Sequence, residues 1–132
     1  MPTRHVSARW DGGQSAITDI RGIRLSIGED APPLGTTPAP LPTEVLIASV
    51  ASCFAIAMAF VAAKRKLELP GLQVDVDGSY DGPRLATIDI SVSSDADPDL
   101  VNKLIPSAER LCYVTNTLRH PPQITITQHP RA

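Results

Sequence analysis

Aromatic side chains are scarce in this chain, at 4% of 132 residues. Only Trp10, Phe54, Phe60, Tyr80 and Tyr113 carry such rings, so a core must rest on Val, Ile, Leu and Ala. Cysteine is rarer still, with Cys53 and Cys112 alone. The N-terminal MPTRHVSARW has no apolar h-region, so no signal peptide is expected. The reading is a cytoplasmic protein whose thiols rest reduced, and a static structural disulfide is the weaker alternative. Charge of one sign is also lacking. The formal net charge of −2 argues against nucleic acid or an anionic membrane as the main partner. The sequence holds neither a Gly-rich phosphate loop nor a serine-nucleophile motif. His5, His120 and His129 with two distant cysteines do not make metal-ligand spacing, so no metal or cofactor is expected.

Charge is missing altogether from Val45 to Ala63. Nineteen such residues nearly suffice to span a bilayer. Seven of them are Ala and two are Ser, however, so the drive for insertion is weak, and the flanking segments alternate like soluble strands. A buried central helix is the better reading, with no membrane partner.

The length suggests one domain. Residues 4–10 and 14–28 read as a small antiparallel meander, with turns at Gly12-Gly13 and Arg21-Gly22. Residues 29–43 hold five of the thirteen prolines and form a loop. Thr43 suits an N-cap and Glu44 the first turn of a helix over roughly 44–68, with Lys64, Arg65 and Lys66 at its far end. That helix is apolar on all sides and should be buried on all sides. A chain of this size buries only about two-thirds of its unfolded surface, so a partner subunit, forming a homodimer, is expected to help cover it. Residues 71–132 read as a hairpin turning at Asp81-Gly82, then helix, then a final strand at QITIT. In the second helical region Asp97 caps, Pro98 opens, and Pro106 is expected to kink or split the helix. The order β-β-β-α-β-β-α-β is an α+β pattern.

Each cysteine lies on an inward face of a long helix. One reading is that both only pack, since free cysteine is often a small buried hydrophobe. The other is a peroxidatic pair: a thiolate attacks the O–O bond, becomes a sulfenic acid, and condenses with the second thiol. An unperturbed thiol ionises near about pH 8.5 and burial hinders it further, so a cation is called for. No Lys or Arg lies between Arg24 and Lys64. Such a cation must come from Arg4, Arg9, Arg21 or Arg24, from a distant segment, or from another subunit. Arg119 could stand near Cys112, although a solvated helix end is the simpler reading.

Two segments carry a family resemblance: LPTEVLIASVASCF (41–54) and AERLCYVTNTL (108–118). They resemble the Pro–Glu–Ala-rich helix ending in Cys, and the Ala-x-x-x-Cys-Pro-Val-x-Asn-Thr-Leu, of the OsmC/Ohr family of thiol-dependent hydroperoxide reductases. The hairpin and final strand fit as well, so the likeness spans nearly the whole chain. It implies an OsmC-like fold, with antiparallel sheets around a long central helix in an intertwined homodimer. It also implies that Cys53 is the peroxidatic and Cys112 the resolving cysteine. The substrates implied are organic hydroperoxides, with a lipoyl-type dithiol as reductant. Glu44 would orient a cation, and Arg24 is the candidate for it. Two positions depart from the pattern: Thr43 stands where the family usually has Glu, with Glu44 one step on, and Tyr113 replaces the usual Pro. The resulting expectation is a thiol peroxidase of oxidative stress defence. The alternative is a non-catalytic OsmC-like dimer that senses redox state or binds a small apolar ligand.

Overall fold

The computed structural model describes residues 2–30, 33 and 35–130. Ala31, Pro32 and Leu34 of the expected Pro-rich loop lie outside the described residues, as do Arg131 and Ala132. The elements run β1 (Ser7–Trp10), β2 (Ser15–Ile20), β3 (Ile23–Gly28), α1 (Pro42–Lys64), β4 (Gln73–Asp81), β5 (Arg84–Ser93), α2 (Pro98–Leu111) and α3 (Tyr113–Arg119). This is an α+β chain with a long apolar helix. It divides into two compact units, Met1–Ala48 with Asp77–Ile88, and Ser49–Val76 with Asp89–Ala132.

In the first unit, β1, β2 and β3 form an antiparallel sheet in that order. Ile20 pairs with Ile23 across a two-residue turn. Arg21 and Gly22 both take positive φ there, at 54° and 84°. That is the demand of a turn whose twist matches the strands it joins. Asp19 Oδ1 accepts from the Gly22 amide at 2.9 Å and holds the turn closed. At the other end of β3, residues 37–40 of the Pro-rich segment bond to the sheet. The Gly28 amide donates to Pro40 O at 3.0 Å, and Ser15 Oγ meets Thr37 Oγ1 at 2.9 Å. A Cβ on Gly28 would collide with the Ser15 hydroxyl and come within 2.8 Å of the Thr37 methyl, so only glycine allows this approach.

The start of α1 also belongs to this unit and differs from the expectation. The helix opens at Pro42, and the Val45 amide already donates to Leu41 O at 3.0 Å. Leu41 is therefore the cap residue and Pro42 the first helical position, where its missing N–H costs nothing. Glu44 Oε1 reaches back to accept from the Leu41 amide at 2.8 Å, which is half of a capping box. Thr43 is not the cap; its hydroxyl bonds instead to Tyr80 OH.

The second unit holds the core. Phe54, Ala57, Met58, Val61 and Ala62 of α1 pack with Val101, Leu104 and Ala108 of α2 and with Cys112. Val74 of β4 and Ile90 and Val92 of β5 pack against this cluster. The alternation of the hairpin is what turns those residues to one face. α1 ends at Lys64, four residues short of the expected 68. Lys66 enters the left-handed region at φ 57°, and the amides of Leu67 and Lys66 donate to Ala62 O (2.8 Å) and Ala63 O (3.0 Å). This is a Schellman motif with lysine where glycine is usual. A left-handed L-residue costs about 1 kcal/mol. Lys66→Gly is accordingly expected to stabilise the fold by up to about 1 kcal/mol, read as a higher urea midpoint at unchanged slope.

The other helical region also differs. Asp97 caps α2, accepting from the Asp99 amide at 3.0 Å, and Pro98 opens it. Pro106 does not split it: the helix runs on to Leu111, and the break falls at Cys112. Pro106 is exposed, so the carbonyl it leaves without an N–H partner is on the solvent side. Cys112 is extended (φ −76°, ψ 106°) and α3 starts afresh after it.

The expected final strand at Gln123–Thr127 is not formed among the described residues. Ile124 and Ile126 are 79% and 92% exposed. Alternation assigns side chains to faces but supplies no neighbour, and a strand exists only within a ladder. α1 is likewise less covered than expected: Ile56 and Phe60 are 69% and 50% exposed. By length and composition α1 could cross a membrane, a test that core helices of soluble proteins also pass.

Candidate functional site

The second unit brings Cys53 and Cys112 together. Cys53 lies mid-α1 and is half-buried; Cys112 is fully buried at the α2–α3 break, and both are free thiols. The break matters because an extended residue between two helices turns its side chain out of both helical paths and into the core. Cys53 packs against the core cluster that contains Cys112, and the two sulfurs are near enough for each to shift the other's ionisation. Cys53, Ile56, Ala57, Phe60, Leu111 and Tyr113 line a cavity of about 310 Å³. That is at the lower end of small-molecule sites, and its walls are apolar apart from the thiol and the Tyr113 phenol. Small residues near Cys53 leave this space open, with Ala57 one turn further along the helix.

The environments of the two sulfurs differ. Burial pushes both thiols up. For Cys53 burial prevails over the help of the Val114 and Tyr113 amides, and the neighbouring Cys112 raises it further. For Cys112 the Thr115 hydroxyl and amide, the Cys53 thiol and the Val114 amide together outweigh burial, and the thiol falls below its ordinary value. Thr115 Oγ1 also lies 3.2 Å from Cys112 O, so its single proton can serve either acceptor.

Arg119 is not beside Cys112. It pairs with Glu109 at 2.6 Å on the surface, as the solvated-end reading required. Arg65 and Arg110 both donate to Ser107 Oγ, at 2.9 and 3.0 Å. Glu44 and Arg24 belong to the first unit. Arg24 is exposed on β3 opposite Asp19. Glu44 lines a separate cavity of about 230 Å³ with Leu41, Thr43, Ile47 and Tyr80. Its contact with the Leu41 amide predicts a measurable structural role. Glu44→Ala should cost about 1 kcal/mol in a denaturant titration, while Glu44→Gln, which keeps an acceptor, should cost much less. Thr115 is the residue that sequence reasoning missed: its position three after a cysteine at a helix start was the available signal.

Fold and site together define an α+β chain with two free cysteines in one core, of which Cys53 lines an apolar cavity. It belongs to the OsmC-like protein family, whose pattern matches residues 35–127. No curated sequence matches the chain. Among solved structures it is similar to an OsmC-like protein from Mycoplasma pneumoniae, with TM-score 0.77, 16% identity, and 91% of this chain and 89% of that one covered. It also resembles a hypothetical protein from Aquifex aeolicus VF5, with TM-score 0.75, 15% identity and 92% and 90% covered. A third likeness is to the organic hydroperoxide resistance protein OhrB of Bacillus subtilis, with TM-score 0.60, 20% identity and 90% and 92% covered.

Proposed function

We propose that this protein reduces organic hydroperoxides with its two thiols as part of oxidative stress defence. Cys53 attacks the distal peroxide oxygen, the O–O bond breaks, and an alcohol leaves. The resulting Cys53 sulfenic acid is attacked by Cys112, water leaves, and a disulfide forms. An external dithiol of the lipoyl type reopens it by exchange. The observation that carries this reading is a cavity-lining free thiol packed against the core cluster that holds a second, buried one. The family includes proteins named for organic hydroperoxide resistance, and the apolar cavity suits an organic rather than a bare peroxide.

The protein is proposed to act in the cytoplasm as a homodimer. The uncovered Ile56 and Phe60 of α1, and the unpaired Gln123–Thr127 segment, are surfaces that a second copy would cover. In this reading Glu44 orients a cation supplied by Arg24, which makes no ion pair among the described residues. The test is one equivalent of cumene hydroperoxide followed by mass spectrometry, which should find an intramolecular Cys53–Cys112 disulfide. Two unmodified thiols after that treatment would overturn the reading. One observation favours a second reading, a redox sensor or binder of a small apolar ligand: burial holds the Cys53 thiol above its ordinary value. Such a protein would be stabilised by ligand and show no turnover with any dithiol.

A further inference from the structure

Arg65 and Arg110 come from different helical regions and end on one oxygen. Arg65 follows the last residue of α1, and its amide bonds to Val61 O and Ala62 O at 3.3 and 3.1 Å. Ser107 and Arg110 are neighbours one turn apart on α2. Val61 and Ala62 pack in one core with Leu104 and Ala108, which brings the two helix surfaces together here. Ser107 is half-buried and both arginines are exposed. Arg65 Nη2 donates to Ser107 Oγ at 2.9 Å, and Arg110 Nη2 does so at 3.0 Å. Both lone pairs of the hydroxyl are then taken, and its own proton is left to donate. The two guanidinium nitrogens stand within about 6 Å of each other, inside the screening length of about 8 Å at physiological salt. No carboxylate neutralises them. Among the described residues the one ion pair is Arg119–Glu109, so the acid next to Arg110 in the chain is already engaged. Cations in the last turn of a helix suit its dipole, but that role sets no direction for the guanidinium. Here both forks turn onto one hydroxyl. The cluster offers donors and positive charge, and no free acceptor.

We propose that Arg65, Ser107 and Arg110 form a binding site for the phosphate group of a phosphate monoester. The site is independent of the thiol chemistry: about 18 Å of helix rise separates Cys53 from Arg65. A phosphate dianion matches the two guanidinium charges one for one, whereas a carboxylate would leave one of them unmatched. Its tetrahedral oxygens can take one arginine fork on each side and the serine proton between them. Planar guanidiniums suit such contacts because two parallel N–H groups reach two oxygens at once. The bonds to Ser107 already hold both side chains in place, which lowers the ordering cost of binding. The site opens to solvent, so a ligand enters without any movement of the core. Exposure also keeps the affinity modest. Two charge-assisted contacts in water correspond to a dissociation constant of about a millimolar for inorganic phosphate.

The test titrates the full chain with sodium phosphate at constant ionic strength, chloride making up the balance, and reads calorimetric binding and the thermal midpoint. Phosphate at ten times its dissociation constant should multiply the folding constant about elevenfold and raise the midpoint by about 5 °C. Arg65→Ala and Arg110→Ala should each weaken phosphate binding by about tenfold, and Ser107→Ala by about threefold. Arg65→Lys keeps the charge but not the fork, and should recover only part of the loss. Arg119→Ala removes an exposed arginine that is engaged with Glu109, and should bind phosphate as the wild type does. Acetate should bind about tenfold more weakly than phosphate. Equal effects of phosphate, acetate and chloride, or undiminished phosphate binding by the Arg65→Ala protein, overturn the proposal. The source of the phosphate is decided by comparing glycerol 3-phosphate with phosphatidylcholine vesicles containing phosphatidate. Binding of glycerol 3-phosphate, with the protein left in the supernatant above the vesicles, assigns a soluble monoester. Sedimentation with the vesicles that is lost in the Arg65→Ala protein assigns a lipid headgroup. No readout uses a peroxide, so the outcome stands whether or not the hydroperoxide reading holds.

Discussion

Cys53→Ser is expected to abolish hydroperoxide consumption, lowering the dithiol-dependent rate by at least about three orders of magnitude. Serine is nearly isosteric, so the fold should survive, as checked by an unchanged far-UV spectrum and thermal midpoint. The reason is chemical. A hydroxyl is a poor nucleophile toward the O–O bond, and no second thiol is positioned to replace it. Cys112 is fully buried, and a peroxide in the cavity meets Cys53 first. The assay is coupled consumption of cumene or tert-butyl hydroperoxide with dihydrolipoamide. A Cys53→Ser protein that consumes peroxide at the wild-type rate would remove Cys53 from the chemistry. It would then leave the apolar-ligand reading to be tested by ligand-dependent stabilisation.

The largest stability effect is expected at Leu104. It is 0% exposed and lies in the cluster with Met58, Val61, Ala108 and Cys112. Leu104→Ala removes buried methyl groups and leaves a cavity whose walls, two helices and a hairpin, cannot fully close. The cost should be about 3 kcal/mol, within the usual range for such truncations. For a domain of this size that corresponds to roughly 10 °C in thermal midpoint. Leu104 shares its cluster with Cys112, so the same variant should loosen the thiol pair and slow disulfide formation. An exposed control, Leu111→Ala, loses a side chain that is already 47% exposed and should cost much less. Equal losses at the two positions would contradict the assignment of the core.

Much of the fold was legible in the chain. The charge-free run from Val45 to Ala63 specified a long helix. Alternation in LQVDVDG and TIDISVS specified a hairpin with one apolar face, and Asp97-Pro98 marked the start of α2. Local chemistry of this kind acts over a few residues, which is why it can be read locally. The errors share a different character. Thr43 has the right side chain for a cap, yet the helix starts earlier because Glu44 can satisfy the Leu41 amide. Pro106 looks like a breaker, but its exposed position spares the helix, and the break moves to Cys112. QITIT has strand alternation without a partner to pair with.

The candidate site divides in the same way. By itself the sequence determined that two thiols face inward, with no cation near Cys53 along the chain, and it carried the family resemblance; it placed Cys112 on a helix, whereas the residue is extended at the break between two. Periodicity and composition suffice for that, because they record which face of an element is apolar. Tertiary structure alone decided that the thiols share one core, that one is buried while the other lines a cavity, and that buried Thr115 bonds to the carbonyl of the deeper cysteine. Those facts depend on how an extended residue at Cys112 redirects the chain between two helices. Residues 59 positions apart meet through packing, and no local pattern encodes which donors will surround a sulfur once they do.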